Sequence, residues 1–233
     1  MQQQNNIATV IVAAGKGTRM KTTESKQYLM LQDKPIIVHT IQAFQLVEEI
    51  KYIVLVVGEQ DKRRVQEWVE QYALHKVIHV VAGGDNRQQS VYKGLQQLPH
   101  DVKWVLVHDG VRPFVKPVHI SHCIEKAKQH GAAVLGVPVK DTIKQVDTMQ
   151  RILHTPPRRS LWAVQTPQAF RVADLIEAHQ GVTAQDDSIT DDAMLLEKCG
   201  KEVVMVEGDY SNIKITTPED LELANVMLGG EKT

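Results

Sequence analysis

Short apolar, β-branched runs alternate with amphipathic stretches along most of this chain. Ala8–Ala13, Tyr52–Val57, Val77–Val81, Trp104–His108 and Ala133–Val137 read as strands buried on both faces, because few polar residues interrupt them. Between them, apolar positions recur at helical spacing in residues 36–46, 61–72, 87–98 and 118–129. Alternation of this kind predicts an α/β fold, a Rossmann-like and mostly parallel twisted sheet flanked by helices. No internal repeat and no low-complexity segment interrupts it.

The pattern breaks at Pro138. Residues 138–165 hold two strand-like pieces, Thr142–Val146 and Arg151–His154, with Asp147-Thr148-Met149-Gln150 as a turn between them and no helix. This predicts a β-hairpin arm leaving the main sheet. A lone two-stranded arm is marginally stable, so it is expected to pack on a second copy of the chain, giving a homodimer. A surface excursion is the plainer alternative. Helical patterns resume after Thr166-Pro167 and after Thr190, and Gly200 ends the second of them. A strand at Glu202–Glu207 and a segment Asn212–Ile215 follow. Thr217-Pro218-Glu219-Asp220 then reads as a helix cap, a first-turn proline and first-turn acids, opening a helix to about Leu228. The whole chain, 1–233, is expected to form one domain that includes the arm.

Bulk composition mainly excludes. A net charge of -1 gives no bulk attraction to nucleic acid or to a membrane surface. No apolar run approaches the roughly 20 residues of a membrane helix. The opening Met-Gln-Gln-Gln-Asn-Asn carries no basic or apolar leader, so a cytoplasmic protein is expected. Cys123 and Cys199 form no Cys-x-x-Cys pair. His119 and His122 have loose metal spacing beside Cys123 but fall in an expected surface helix. No nucleophile elbow or paired-histidine zinc motif occurs.

The candidate chemistry begins where the first strand ends. Val10–Ala14 runs into Gly15-Lys16-Gly17, followed by Arg19 and Lys26. Small residues let a phosphate approach backbone N–H groups, and the two cations add side-chain charge. Gly15-Lys16 is followed by Gly17 and position 10 is Val, so this is not a Walker loop. Met20 stands where a dinucleotide fingerprint needs its third glycine. Asp109 follows the run Trp104–His108, at the carboxyl edge where open α/β sheets bind ligands. With Gly110 and Arg112 it could face the same crevice and hold Mg²⁺ beside a triphosphate. A turn cap before Pro113 is its alternative role. Gly83-Gly84-Asp85 with Ser90 could read a pyrimidine edge, or form a plain turn capped by Asp85. Lys214 alternates against Ile213 and Ile215, which suits either an anionic substrate or solvent. Thr166 and Thr190 precede helix-like runs, where an N-cap and a phosphate contact are compatible.

Taken in order, these segments resemble one family. They are Ala13 to Met20 with Lys26-Gln27-Tyr28-Leu29, Ala82-Gly83-Gly84-Asp85 with Ser90, and Val107 to Pro113. Asp141-Thr142, Arg158 before Leu161-Trp162, Gln165 to Gln168, Thr190-Asp191 and Asn212-Ile213-Lys214 follow. The chain resembles the 2-C-methyl-D-erythritol 4-phosphate cytidylyltransferases, which join CMP from CTP to methylerythritol phosphate and release pyrophosphate. The resemblance implies that Ala13, Ala14, Gly84, Asp85, Ser90 and Gly110 surround the cytidine. It implies that Gly15, Gly17, Arg19 and Lys26 hold the triphosphate. Asp109, Arg112, Thr166, Thr190 and Lys214 would serve the polyol phosphate, with Thr142 and Arg158 arriving on the partner's arm. Arg19, Lys26, Asp109 and Lys214 are the implied catalytic set, and Mg²⁺ the implied cofactor. Gly110 stands where many relatives carry alanine, a change expected to be harmless.

Three other readings compete. A ribitol-5-phosphate cytidylyltransferase would share the glycine loop, Lys26 and Asp109, and the arm with Arg158 and Leu161-Trp162 favours methylerythritol phosphate. A Rossmann oxidoreductase is disfavoured by Met20. A non-catalytic CTP-binding sensor would release no pyrophosphate.

Overall fold

A computed structural model of the chain describes residues 6–15, 24–181 and 189–230. Its strands are β1 (Asn6–Ala13), β2 (Met30–Leu31), β3 (Lys34–Pro35), β4 (Ile50–Val57), β5 (Val77–Ala82), β6 (Val102–Asp109), β7 (Ala132–Pro138), β8 (Gln145–Val146), β9 (Ile152–His154), β10 (Trp162–Arg171) and β11 (Val204–Glu207). Its α-helices are α1 (Ile36–Gln45), α2 (Lys62–Gln71), α3 (Arg87–Leu95), α4 (Pro117–His130), α5 (Val172–Gly181), α6 (Asp192–Lys198) and α7 (Pro218–Gly230). Seven strands form one sheet in the order β11-β7-β10-β6-β1-β4-β5. β1 pairs parallel with β4 and β6, β4 with β5, and β7 with β11. The expected mostly parallel α/β sheet is therefore present.

The alternation within each strand splits the core into two layers. Ile7 and Ile11 of β1, Ile53 and Leu55 of β4, and Trp104 and Leu106 of β6 face α1, α2 and α4. Val10, Val54, Val56, Val105 and Val107 face the opposite way, toward α3, α5 and α6. Both faces are covered, which is why the strands read as continuous apolar runs.

Local chemistry sets the helix ends. Asn86 Oδ1 accepts the Gln89 N–H to open α3, and Asp191 Oδ1 accepts the Met194 N–H to open α6. Gly131 (φ +98°) and Gly200 (φ +69°) follow α4 and α6 in the left-handed region that glycine enters without penalty. In the first turn of α7, Asp220 accepts N–H bonds from Thr216 and Thr217 while its own N–H meets Thr217 Oγ1.

One stretch folds otherwise than its pattern predicts. Residues 162–171 do not close the arm and enter a helix at Pro167. They form β10, which runs antiparallel between β6 and β7 inside the sheet. The register shifts between Val164 and Gln168. Pro167, which has no N–H for a ladder bond, sits in that irregularity. Helix resumes only at Val172. Thr166 is thus a strand residue and not a cap, and α6 is capped by Asp191 and not by Thr190.

β8 and β9 form a separate antiparallel ladder, Gln145 opposite His154 and Val146 opposite Ile152. It is shorter than the expected Thr142–Val146 strand. Asp147 closes its turn by accepting the N–H groups of Met149 and Arg151.

Candidate active site

The chain runs from β1 outward to β4 and β5, then crosses back to place β6 on the other side of β1. Such a reversal opens a crevice beyond the carboxyl ends of the strands. Asp109 ends β6 directly beside Val12 of β1. A crevice of about 600 Å³ lies there, lined by Val12, Ala13, Ala14, Gly15, Lys26, Gln27, Gly84, Asp85, Asn86, Arg87, Ser90, Asp109, Val111 and Lys214. A second, of about 220 Å³, is lined by Arg87, Asp109, Arg112, Val164, Gln165, Thr166, Gln168, Thr190, Asp191 and Lys214. Arg87, Asp109 and Lys214 belong to both, so they form the shared wall.

Most of the expected residues therefore meet. Ala13, Ala14, Gly15, Lys26, Gly84, Asp85 and Ser90 line the larger crevice, and Arg112, Thr166 and Thr190 the smaller. Gly17 and Arg19 lie outside the described residues. Thr142 and Arg158 line neither crevice. They are exposed, and Arg158 Nη1 donates to Lys140 O at 2.8 Å. Gly110 lines neither crevice and is buried. Its N–H is already given to Val12 O at 2.9 Å, and its carbonyl accepts Thr40 Oγ1 at 3.1 Å. A Cβ at Gly110 would stand 2.9 Å from Ala13 Cβ, so alanine there would need a small shift.

The loops of the larger crevice are braced from behind. Gln27 Nε2 donates to Ala13 O at 2.7 Å and to Gly15 O at 3.1 Å, holding the backbone at the end of β1. Ser90 Oγ donates to Asn86 O and accepts the Gly84 N–H at 3.0 Å. The Ser90 hydroxyl proton is thus spent on the loop it supports. A Cβ on Gly83 would come within 2.3 Å of Ala14 Cβ, so only glycine lets these two loops approach so closely.

Electrostatics concentrate on the shared wall. Asp109 Oδ2 meets Lys214 Nζ at 2.8 Å and Arg112 Nε at 3.5 Å, while Oδ1 meets Arg87 Nε at 3.3 Å. Burial works to raise the Asp109 pKa, but the charges of Arg87, Lys214 and Arg112 outweigh it and hold the carboxyl well below the usual carboxylate range. Arg87 also reaches buried Asp192, whose oxygen lies 2.6 Å from Nη1. Burial opposes ionisation of Asp192 too, and Arg87 and His179 reverse it.

His108, beside Asp109, sets the polarity of Thr166. Its Nε2 faces the Arg112 carbonyl at 3.1 Å, which can only accept, so Nε2 carries the proton. Nδ1 therefore accepts from Thr166 Oγ1 at 3.0 Å, and Thr166 Oγ1 in turn accepts the Asp109 N–H at 3.1 Å. Complete burial against Phe44 pushes the His108 pKa down to about 3, so the ring is neutral. Thr166 can meet a ligand only as an acceptor.

Gln27, Arg87 and His108 carry much of this arrangement without being singled out in the sequence. Arg87 stands three residues before Ser90 on a helix, which puts both on one face. That spacing was the available signal. His108 was absorbed into an apolar strand.

The model of the 2-C-methyl-D-erythritol 4-phosphate cytidylyltransferase (IspD) family matches residues 7–230. This chain belongs to that family. The cytidylyltransferase of that name from Desulforamulus reducens is 49% identical over 224 residues, 96% of each chain. The one from Alkaliphilus metalliredigens is 44% identical over 233 residues, 100% of this chain and 97% of the relative. Among solved structures, the 4-diphosphocytidyl-2C-methyl-D-erythritol synthase of Anaerococcus prevotii superposes with a TM-score of 0.86 at 32% identity, covering 97% of each chain. The Francisella tularensis cytidylyltransferase gives 0.78 at 30% identity over 95% of this chain and 99% of that one. In this family member the two crevices are joined by the ion-paired wall of Arg87, Asp109 and Lys214.

Proposed function

We propose that this chain transfers CMP from CTP to 2-C-methyl-D-erythritol 4-phosphate, releasing pyrophosphate in isoprenoid-precursor synthesis. Family membership supports the reaction. The observation that carries its layout is the wall of Arg87, Asp109 and Lys214, common to two adjoining crevices. The larger crevice takes CTP, with cytidine against Ala13, Ala14, Gly84, Asp85 and Ser90. The triphosphate extends toward Gly15 and Lys26, and Gly17 and Arg19, which lie outside the described residues, are the further residues we assign to it. The smaller crevice takes the polyol phosphate among Arg112, Thr166, Thr190 and Lys214.

The nucleophile is a phosphate oxygen already present on the second substrate. It forms a bond to the α-phosphorus of CTP, and the bond to the β-phosphate oxygen breaks, its electron pair leaving with pyrophosphate. No side chain is cytidylylated along the way. The protein aligns the two phosphates and offsets charge on the transferring group, using Lys26 and Lys214 at its edges. Asp109 does not contact the reacting atoms in this reading. It fixes Lys214, and Thr166 Oγ1 accepts a hydrogen bond from a polyol hydroxyl.

Asp109 suits a magnesium ion poorly, because both carboxylate oxygens already face cations. Among the described residues, no group of three His, Cys, Asp or Glu gathers elsewhere. Mg²⁺ instead fits the oxygens of the triphosphate itself, so that it enters with CTP as part of the substrate complex.

The β8–β9 ladder exposes Val146, Met149, Ile152 and Leu153, each at least 46% accessible. Such a strip is costly to leave in water. In our reading it packs on a second copy, giving a homodimer in which Thr142 and Arg158 of one subunit reach the polyol crevice of the other. The chain acts as one domain in the cytoplasm. No helix among the described residues is long and apolar enough to cross a membrane.

The test is pyrophosphate release with CTP and each of methylerythritol phosphate and ribitol 5-phosphate. Release with the first, and little with the second, supports the proposal. Preference for ribitol phosphate transfers the assignment to that substrate, and no release with either refutes it.

A further inference from the structure

Arg87 opens α3, the helix that begins behind the Gly83-Gly84 loop, and it reaches two buried carboxylates at once. Its Nη1 lies 2.6 Å from Asp192 Oδ2 and its Nε 3.3 Å from Asp109 Oδ1. The other oxygen of Asp109 holds Lys214 Nζ at 2.8 Å. One carboxylate is therefore held by Arg87 on one oxygen and by Lys214 and Arg112 on the other. Turning it toward either side would loosen the opposite one. A lysine ammonium is a point charge on a flexible stem, and its position is set by what it pairs with. Lys214 is held by Asp109, and Arg87 is the cation on the opposite oxygen of that carboxylate.

The second arm of the guanidinium acts on a different element. Asp192 is the first residue of α6, two positions after Thr190, which lines the smaller crevice. Asp192 is 1% exposed, and its other neighbour is His179 Nε2 at 3.7 Å. Arg87 thus ties the start of α6 to the end of β6. A rigid planar fork suits that bridging in a way an ammonium does not. Charge gives a further reason. Arg87, Arg112 and Lys214 oppose Asp109 and Asp192, leaving one positive charge at the wall. Without Arg87 the cluster is neutral where an anionic substrate must arrive.

We infer that Arg87 is a positioning residue for the polyol-phosphate half of the reaction, acting through Asp109 on Lys214 and through Asp192 on the segment bearing Thr190. The role rests on the proposed reading of the two crevices. Arg87 is built into the nucleotide-side helix yet governs the acceptor side.

The experiment uses the full chain with Arg87→Lys, Arg87→Met and Asp192→Asn. Pyrophosphate release gives kcat and the KM for 2-C-methyl-D-erythritol 4-phosphate, calorimetry gives the Kd for CTP, and melting checks the fold. Arg87→Met is expected to lower kcat/KM for the sugar phosphate about 10²-fold, with CTP affinity within about threefold of wild type, the size seen when a positioned charge contact is lost. Arg87→Lys restores part of that loss, since one ammonium cannot span both carboxylates. Asp192→Asn falls between Arg87→Lys and wild type. A merely structural role would instead lower the melting temperature and the active fraction, leaving both substrate affinities unchanged, and that pattern overturns the inference. If Arg87→Met does not fold, Arg87→Lys decides: wild-type kcat/KM for the sugar phosphate in that variant overturns it. The unaltered protein separates the two claims. No pyrophosphate from it overturns the reading of the crevices and this role together. Full activity in both Arg87 variants overturns the role alone.

Discussion

Asparagine at position 109 removes one charge and almost no volume. In the native protein Asp109 is 6% exposed and pairs with Lys214, Arg112 and Arg87. Losing one partner of a buried pair costs roughly 3–5 kcal/mol. The low end applies here, because Arg87 keeps Asp192 and the Lys214 side chain is 38% exposed and can turn to water. A loss of about 3 kcal/mol corresponds to a melting temperature roughly 6–12 °C lower in a protein of this size. The pH dependence identifies the cause. The folded pKa of Asp109 lies far below its unfolded value of about 3.9. Its stabilisation is therefore fully present above about pH 5 and is lost as the pH falls below the unfolded pKa, by about 1.4 kcal/mol per unit. Urea unfolding of wild type and Asp109→Asn at pH 7, 5, 4 and 3 should give a gap that is flat from 7 to 5 and narrows below 4. A gap below 1 kcal/mol at pH 7 would refute the reasoning. So would a gap that is the same at pH 3 as at pH 7, since it would then arise from packing rather than charge.

Lys26→Ala should reduce turnover about 10²-fold while changing CTP affinity much less, and unchanged turnover removes Lys26 from the transition state. His108→Phe keeps a ring against Phe44 but strips the acceptor from Thr166 and the donor from Arg112 O. It should cost about 1–3 kcal/mol in denaturant unfolding and raise the KM for the polyol phosphate, and a variant as stable as wild type contradicts the assigned tautomer. Arg158→Ala should chiefly raise the KM for the polyol phosphate. In dimers mixed with a Lys26→Ala subunit its effect should appear in trans, and a purely subunit-autonomous effect contradicts the shared site.

How much was legible follows from what each residue does. β1, β4, β6 and β7 were readable because burial on both faces leaves nearly uninterrupted apolar runs, and β5, an edge strand that is only half-buried, was readable from its valine-rich, β-branched run. β10 was not. Its middle, Gln165-Thr166-Pro167-Gln168, is polar and contains a proline, yet it is buried because other elements satisfy it. Asn212 Nδ2 donates to Gln165 Oε1 and Thr166 O, Gln168 Nε2 donates to Asp191, and His108 accepts from Thr166. Such bonds come from distant parts of the chain, so local composition cannot reveal them. The glycine loops and Asp109 were visible because strand ends mark them. Arg87, Gln27 and His108 work behind those loops, and their contacts are defined by tertiary packing alone. Gly110 shows the converse. It follows Asp109 at the same strand end, yet only the structure shows that the space beside its Cα is filled by Ala13.

The central claim is that CTP reacts only when a phosphomonoester lies across the shared wall, with no covalent intermediate on the protein. Exchange of labelled pyrophosphate into CTP tests it directly. With the full chain, Mg²⁺ and CTP but no polyol phosphate, label should stay out of CTP; with the nucleotide-linked product and pyrophosphate present, labelled CTP should form. Rapid exchange in the absence of any polyol would mean that a side chain captures the nucleotidyl group, and the account would be wrong.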